Sequence, residues 1–445
     1  MKKRYFIPLF ASLFITSCDV LEPEPQTSLD TDQALIDGAS AQGVLSGTYS
    51  LLQDEDYYGL EYTLNPDLLA DNSVFEGFFD SQLEMDQNAV PITNGWIRSC
   101  WPDIYVVISS ANLLITGVDA IEDENLDKTA ILAEAHAIRA LAYFDLLRIF
   151  GEFYDESSQF GLPLFLEPIP NNDFNQIPDL TRSTVAQTYD QILADLDTAI
   201  QLSDGNADPE RMNFFASLSL RARVNLYRKN YAAAFADADR VITEGGYILE
   251  EDLNDVYDTT DPSGESIFEV VFGNQDQSSY NSFTIRRDEY NVDATLLEFF
   301  EEGDARSALF TVARGRDRTA KYPDNTNANN AKVFRLPELY LIRSEAAVFA
   351  NNDPDAGTAD LNILRTRAGL ADLGTFADTE AYLDALLYER RAELNFEGHR
   401  FFDLIRTDRS ATVLGLEDFR RILPIPRAEL QVSENLEQNP GYPRE

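Results

Sequence analysis

The chain has 445 residues, more than one average core needs, so it forms either one large domain with insertions or a few packed modules. It carries 77 Asp plus Glu against 35 Lys plus Arg, a formal charge of −42. That balance argues against a nucleic-acid partner, because a polyanion is repelled by such a surface and no basic stripe offsets it. With 44 % hydrophobic and 11 % aromatic residues the chain has material for a full core, so the charge coats a folded protein. Two cysteines, Cys18 and Cys100, are too few for a disulfide framework or a thiolate metal site. Lysine is scarce beside arginine and Asp is abundant, which fits either a saline habitat, where salt screens the self-repulsion, or plain compositional drift.

Residues 1–17 have the layout of a secretory signal: a cationic start (Lys2, Lys3, Arg4), an apolar stretch from Phe6 to Ile15, and the small residues Thr16 and Ser17 before Cys18. The apolar stretch is far short of the ~20 residues a bilayer span requires, and Pro8 interrupts it. Ile15-Thr16-Ser17-Cys18 resembles the bacterial lipobox, which makes Cys18 the lipidation site and the mature N-terminus. Acyl chains at ~0.8 kcal/mol per buried methylene would then hold the protein to a membrane through lipid alone. The acidic tract from Asp19 to Glu24 resembles the surface-export signal of Bacteroidetes lipoproteins, and residues 18–31 read as a tether.

Residues 32–445 read as a single, mainly α domain. Asp127 is placed to cap a buried helix over Lys128 to Phe150. Val185, Tyr189, Ile192, Leu196 and Ile200 repeat at helical spacing, ahead of a stop at Asp204-Gly205. Met212 to Tyr227 and the alanine-rich Tyr231 to Ile242 form a helical hairpin, and the same grammar recurs over 336–350 and 356–368. Such pairs resemble tetratricopeptide units, which bury their apolar faces only by stacking on neighbours. Two polar, aromatic-rich intervals break the pattern, near 65–101 and 247–326, and function sits most often on such insertions. In the second interval Ser266 to Phe272 and Ser282 to Arg286 read as short strands.

No catalytic or metal constellation emerges. His136 and His399 have no second histidine at ligand spacing and read as packing residues. The loop at Asp353 lacks the ligands of a calcium loop, so helix capping by Asp353 or Asp355 is expected there. Arg390 falls on the apolar stripe of a C-terminal helix and must be paired, with Glu397 or Glu393 the expected partner. An acid among Arg390, Arg391 and Arg400 has its pKa lowered, the wrong direction for a general acid. No cofactor is expected. The positive clue is aromatic: Phe75, Phe78, Phe79 and Trp96 in one insertion, and Tyr280, Arg286 and Tyr290 in the other, are of the types that stack on a sugar or peptide and hydrogen-bond it. Taken singly, such rings more often tie loops to the core.

The segment from Glu389 to Leu404, with Arg390, Glu393, Glu397, Arg400 and Asp403, resembles the C-terminal signature of the SusD/RagB lipoproteins. Segments starting at Ile138, Gly161, Gly303, Arg335, Asn362, Pro424 and Gln438 fit the same pattern in order. The resemblance implies a tetratricopeptide-like scaffold and no reaction. It implies an outer-membrane lipoprotein facing the cell exterior, which captures an oligosaccharide or a peptide for a SusC-type TonB-dependent transporter. Its rivals are a surface glycoside hydrolase and a periplasmic tetratricopeptide-type scaffold.

Overall fold

The computed structural model describes residues 34–168, 180–205, 207–257 and 262–445. The leader, the tether and Cys18 lie outside the described residues.

Long helices form the scaffold: α1 (Gly38–Leu51), α2 (Glu61–Leu68), α3 (Gly95–Gly117), α4 (Lys128–Phe150), α5 (Val185–Leu202), α6 (Phe214–Tyr227), α7 (Tyr231–Glu244), α8 (Leu336–Asn351), α9 (Thr358–Arg367), α10 (Thr379–Leu394) and α11 (Arg400–Arg406). Their starts are written locally. Asp127 accepts from Ala130 N at 3.0 Å to open α4, and Thr184 and Gln187 form a reciprocal capping box at the start of α5. Consecutive helices pack as neighbours, α3 on α4, α4 on α5, α5 on α6, α6 on α7, α7 on α8 and α8 on α9 and α10. This is a stack of helical pairs, each burying a face on the next.

α4 is buried along most of its length because α3 and α5 flank it, and its alanines Ala135, Ala137, Ala140 and Ala142 let those neighbours approach. Its polar side chains are matched inside: Arg139 donates to Asp195 on α5 at 2.6 and 2.9 Å, and Arg148 donates to its neighbour Asp145 at 2.7 Å. His136 also meets Asp195, at 2.7 Å, as a packing residue would.

Against this stack lie short strands in two-stranded antiparallel sheets. β1 (Ser73–Phe75) pairs with β3 (Tyr290–Val292), β2 (Ser266–Val270) with β6 (Ala331–Arg335), and β4 (Phe310–Ala313) with β5 (Arg316–Thr319). The pairing of β1 with β3 joins the two insertions into one body. Ser282–Arg286, expected as a strand, is instead a turn of π-helix: the Ser279, Ser282 and Phe283 carbonyls accept from backbone N–H groups further along the chain, and the segment packs beside β3 and β5 without joining either ladder. The Asp353 loop does not cap α9 either: Asp353 closes a local turn onto Asp355 N, and Asp355 reaches Phe376 N at 2.7 Å.

Candidate ligand-binding surface

The joined insertions expose an aromatic and arginine platform. Leaving β1, the chain brings Phe78 and Phe79 to the surface, 94 % and 46 % exposed. Arg287 lies over the Phe79 ring at 5.2 Å and over Phe283 at 4.3 Å, so one guanidinium holds both rings in place and is itself anchored to Glu289 at 2.8 Å. Arg286 is exposed and donates to Asn327 at 3.1 Å, while Arg314, from the β4–β5 turn, donates to the Arg286 carbonyl at 2.9 Å. Arg316 reaches back to Glu76 at 2.6 Å and ties that hairpin to the segment carrying the phenylalanines. An exposed ring face beside fixed guanidinium donors suits a ligand with apolar faces and hydroxyl or carbonyl acceptors.

The platform contains Phe78, Phe79 and Arg286 of the residues expected from sequence, and leaves out four. Phe75, Trp96, Tyr280 and Tyr290 are core residues. Trp96 Nε1 donates to the Asp56 carbonyl at 2.8 Å, Tyr280 Oη to the Tyr58 carbonyl at 2.6 Å, and Tyr290 Oη to Asn65 at 2.9 Å. Each ring thus spends its polar atom inside, and Phe75 and Tyr290 pack edge to face at 5.3 Å. Polar sequence around a ring does not tell which way the ring points. Trp96 opens α3, and its partners in the buried stripe (Ile97, Cys100, Trp101, Ile104) mark its direction.

A trough runs between the end of α1, α3 and the 269–277 segment. It comprises two adjoining cavities of about 300 Å³ each, which share Ser50, Gln53 and Asp276. One is lined by Asp54, Asp103, Val106 and Phe272, the other by Tyr49, Glu210, Arg211 and Glu269. Sequence reasoning missed this feature; the only local sign was the Asp54-x-Asp56 spacing, and Asp103 joins it from another helix.

The C-terminal signature faces inward. Arg390 pairs with Asp403 at 2.7 Å, not with Glu393 or Glu397. Those two acids are taken by cations from other elements: Arg335 donates to both at 2.6 Å, Lys321 to Glu397 at 2.5 Å and Arg367 to Glu393 at 2.6 Å. Arg400 clasps Asp71 at 2.7 and 2.9 Å, and Arg406 bridges Asp403 and Glu345. Burial raises the pKa of Glu393 and Glu397, but the surrounding cations outweigh it and leave both below the usual carboxylate range. Glu389 goes the other way: burial holds it above that range despite Arg306 and Arg365, each 2.7 Å away. Burial and nearby arginines keep His399 neutral. Locked between partners inside the protein, these groups act as clamps.

A family model described as the SusD family matches residues 246–415, and a second, described as starch-binding associating with outer membrane, matches residues 19–226. The chain belongs to the SusD family. A SusD-like protein of Formosa agariphila is 25 % identical, aligned over 99 % of this chain and 100 % of its own. The crystal structure of a SusD superfamily protein from Bacteroides thetaiotaomicron superposes with a TM-score of 0.80 at 26 % identity, covering 91 % of this chain and 100 % of that one. A laminarin-binding SusD-like protein superposes with the same TM-score at 24 % identity, over 92 % of this chain and 100 % of its own, a likeness of fold. The helical-pair scaffold described above is the SusD fold.

Proposed function

We propose that this SusD-family protein captures a carbohydrate at the cell surface without altering it and passes it to a SusC-type TonB-dependent transporter. The observation that carries the reading is the platform of Phe78 and Phe79 beside Arg286 and Arg287, rings left in water on a structured insertion. Exposing a phenylalanine to this degree forgoes ~1.5–3 kcal/mol of burial, a cost that a ligand covering the ring recovers. The family description names starch-binding proteins associated with the outer membrane, and one neighbour of the same fold is a laminarin-binding protein, which favours a saccharide over a peptide. Lipidation at Cys18 would place the domain on the membrane, with the acidic tract after it directing the protein outward. A glycoside hydrolase needs two carboxyls across a groove with one held protonated; the signature acids Glu393 and Glu397 are ionised and buried among cations.

A glycan and peptide array probed with the purified protein tests this. Saccharide ligands of micromolar to millimolar affinity are expected, weakened in Phe78→Ala and in Phe79→Ala. A silent array, affinities indifferent to both substitutions, or turnover of a bound polymer would overturn the reading.

A further inference from the structure

Acids outnumber Lys plus Arg by 77 to 35, so an arginine in this chain seldom wants for a carboxylate. Arg139, Arg148, Arg223, Arg335 and Arg390 each take one in the interior. On the platform Arg287 meets Glu289, Arg316 meets Glu76, and the buried Arg318 takes Asp288. Arg286 and Arg314 are different. Both are exposed, and among the described residues neither forms an ion pair. Their partners are neutral: Arg286 Nη2 donates to Asn327 Oδ1 at 3.1 Å, and Arg314 Nη1 donates to the Arg286 carbonyl at 2.9 Å. Each contact occupies one N–H of the five that a guanidinium offers. Two charges from segments 28 residues apart are thus held near one another with donors to spare.

Local conformation does not ask for arginine at 314. Arg314 and Gly315 are the two-residue turn between β4 and β5, with φ of 54° and 79°. A turn of this hand favours Asn, Asp or Gly, and a longer side chain in the left-handed region costs more. The acids on the neighbouring segments do not neutralise the pair. Glu76, Asp288 and Glu289 are engaged as above, and Asp324 folds back onto Thr326 N at 2.7 Å. Asp317 pairs across the hairpin with Val312, on the face opposite Arg316, and Asp80 follows Phe79 into the next short helix.

A guanidinium without an acid takes an oxyanion through two parallel hydrogen bonds, roughly twice as strong as neutral ones. A neutral saccharide over Phe78 and Phe79 would leave both charges unmatched. The net charge of −42 repels an anionic ligand at long range, but at physiological ionic strength salt screens that repulsion beyond about 8 Å and leaves the contact between opposite charges.

We propose that the saccharide captured at this platform is anionic, bearing carboxylate or sulfate groups that Arg286 and Arg314 grip while Phe78 and Phe79 cover its apolar sugar faces. This rests on the capture proposed above and adds the charge class of what is captured.

An array that pairs neutral glucans, galactans and mannans with sulfated and uronic-acid counterparts of equal length separates the two. It is probed at physiological salt with full-length protein in detergent and with the double variant Arg286→Gln/Arg314→Gln. We expect the wild type to hold charged members more tightly than their neutral counterparts by about tenfold or more, and the double variant to lose that preference. The counterpart held, sulfated or uronic, names the source of the anion. Arg286→Lys/Arg314→Lys, which keeps the charge and removes the fork, should retain part of the preference. Neutral members held as tightly as charged ones, or a preference that survives in the glutamine variant, would overturn the proposal and leave saccharide capture standing. An array silent throughout would remove both. The wild-type comparison decides the matter even if a variant fails to fold.

Discussion

Arg390 Nε donates to Asp403 Oδ2 at 2.7 Å, joining the last turns of α10 to the middle of α11 across a sharp reversal of the chain. Phe396 and Gly398 both have positive φ in that reversal, 59° and 78°. Asp403 accepts a second guanidinium, from Arg406 at 2.9 Å, so one carboxylate is shared by two buried arginines.

Removing one partner should therefore strand buried charge. Arg390→Ala and Asp403→Asn are each expected to destabilise the protein by ~3–5 kcal/mol, well beyond what either costs when Arg390→Met is combined with Asp403→Leu. Chemical denaturation of the four proteins checks this; a double variant that loses as much as the two single variants added together would mean that the pair contributes no coupling.

Phe78 and Trp96 should separate binding from folding. Phe78→Ala, at a ring already in water, is expected to leave stability within ~0.5 kcal/mol and to weaken saccharide binding. Trp96→Ala removes a buried ring and its hydrogen bond and should cost ~3–5 kcal/mol. Parallel melting curves and binding isotherms would show the reverse pattern if the platform were structural.

Acid should act in two steps of opposite sign. Burial holds Asp67 at about 6, above its unfolded value of ~3.9, so between these values the native state binds more protons and stability rises as pH falls. Glu393, Glu397 and Asp403 are depressed; their contribution is complete above the unfolded carboxylate range and is lost as pH drops through their lower folded values. Calorimetry from pH 7 to 2 should find a melting temperature that climbs slightly toward about pH 5 and collapses below about pH 4. A monotonic fall from neutrality would contradict the Asp67 contribution.

Membrane attachment should hinge on one atom, the Cys18 sulfur. Cys18→Ser is expected to abolish incorporation of labelled palmitate and to move the protein from the membrane to the soluble fraction. Retention on the membrane would require another anchor.

Much of the scaffold was legible because helix signals are local. Asp127 and Thr184 cap the helices they precede, and the spacing of Val185, Tyr189, Ile192, Leu196 and Ile200 depends only on 3.6 residues per turn. The signature motif likewise marked the family. The partners inside it were not legible: a helical wheel places Glu393 and Glu397 near Arg390, but Arg335 from β6 and Lys321 after β5 reach them first and leave Arg390 to Asp403.

By itself, then, the sequence determined that this chain is a stack of helical pairs with two insertions and an acidic coat, since periodicity, capping and charge belong to neighbouring residues. Only the tertiary structure decided which rings meet solvent. The pairing of β1 with β3, across more than two hundred residues, turned Phe78 out and Phe75 and Tyr290 in. Likewise the packing of α1 on α3 set Asp103 against Asp54 and Asp56, because contacts between distant segments depend on how whole elements pack.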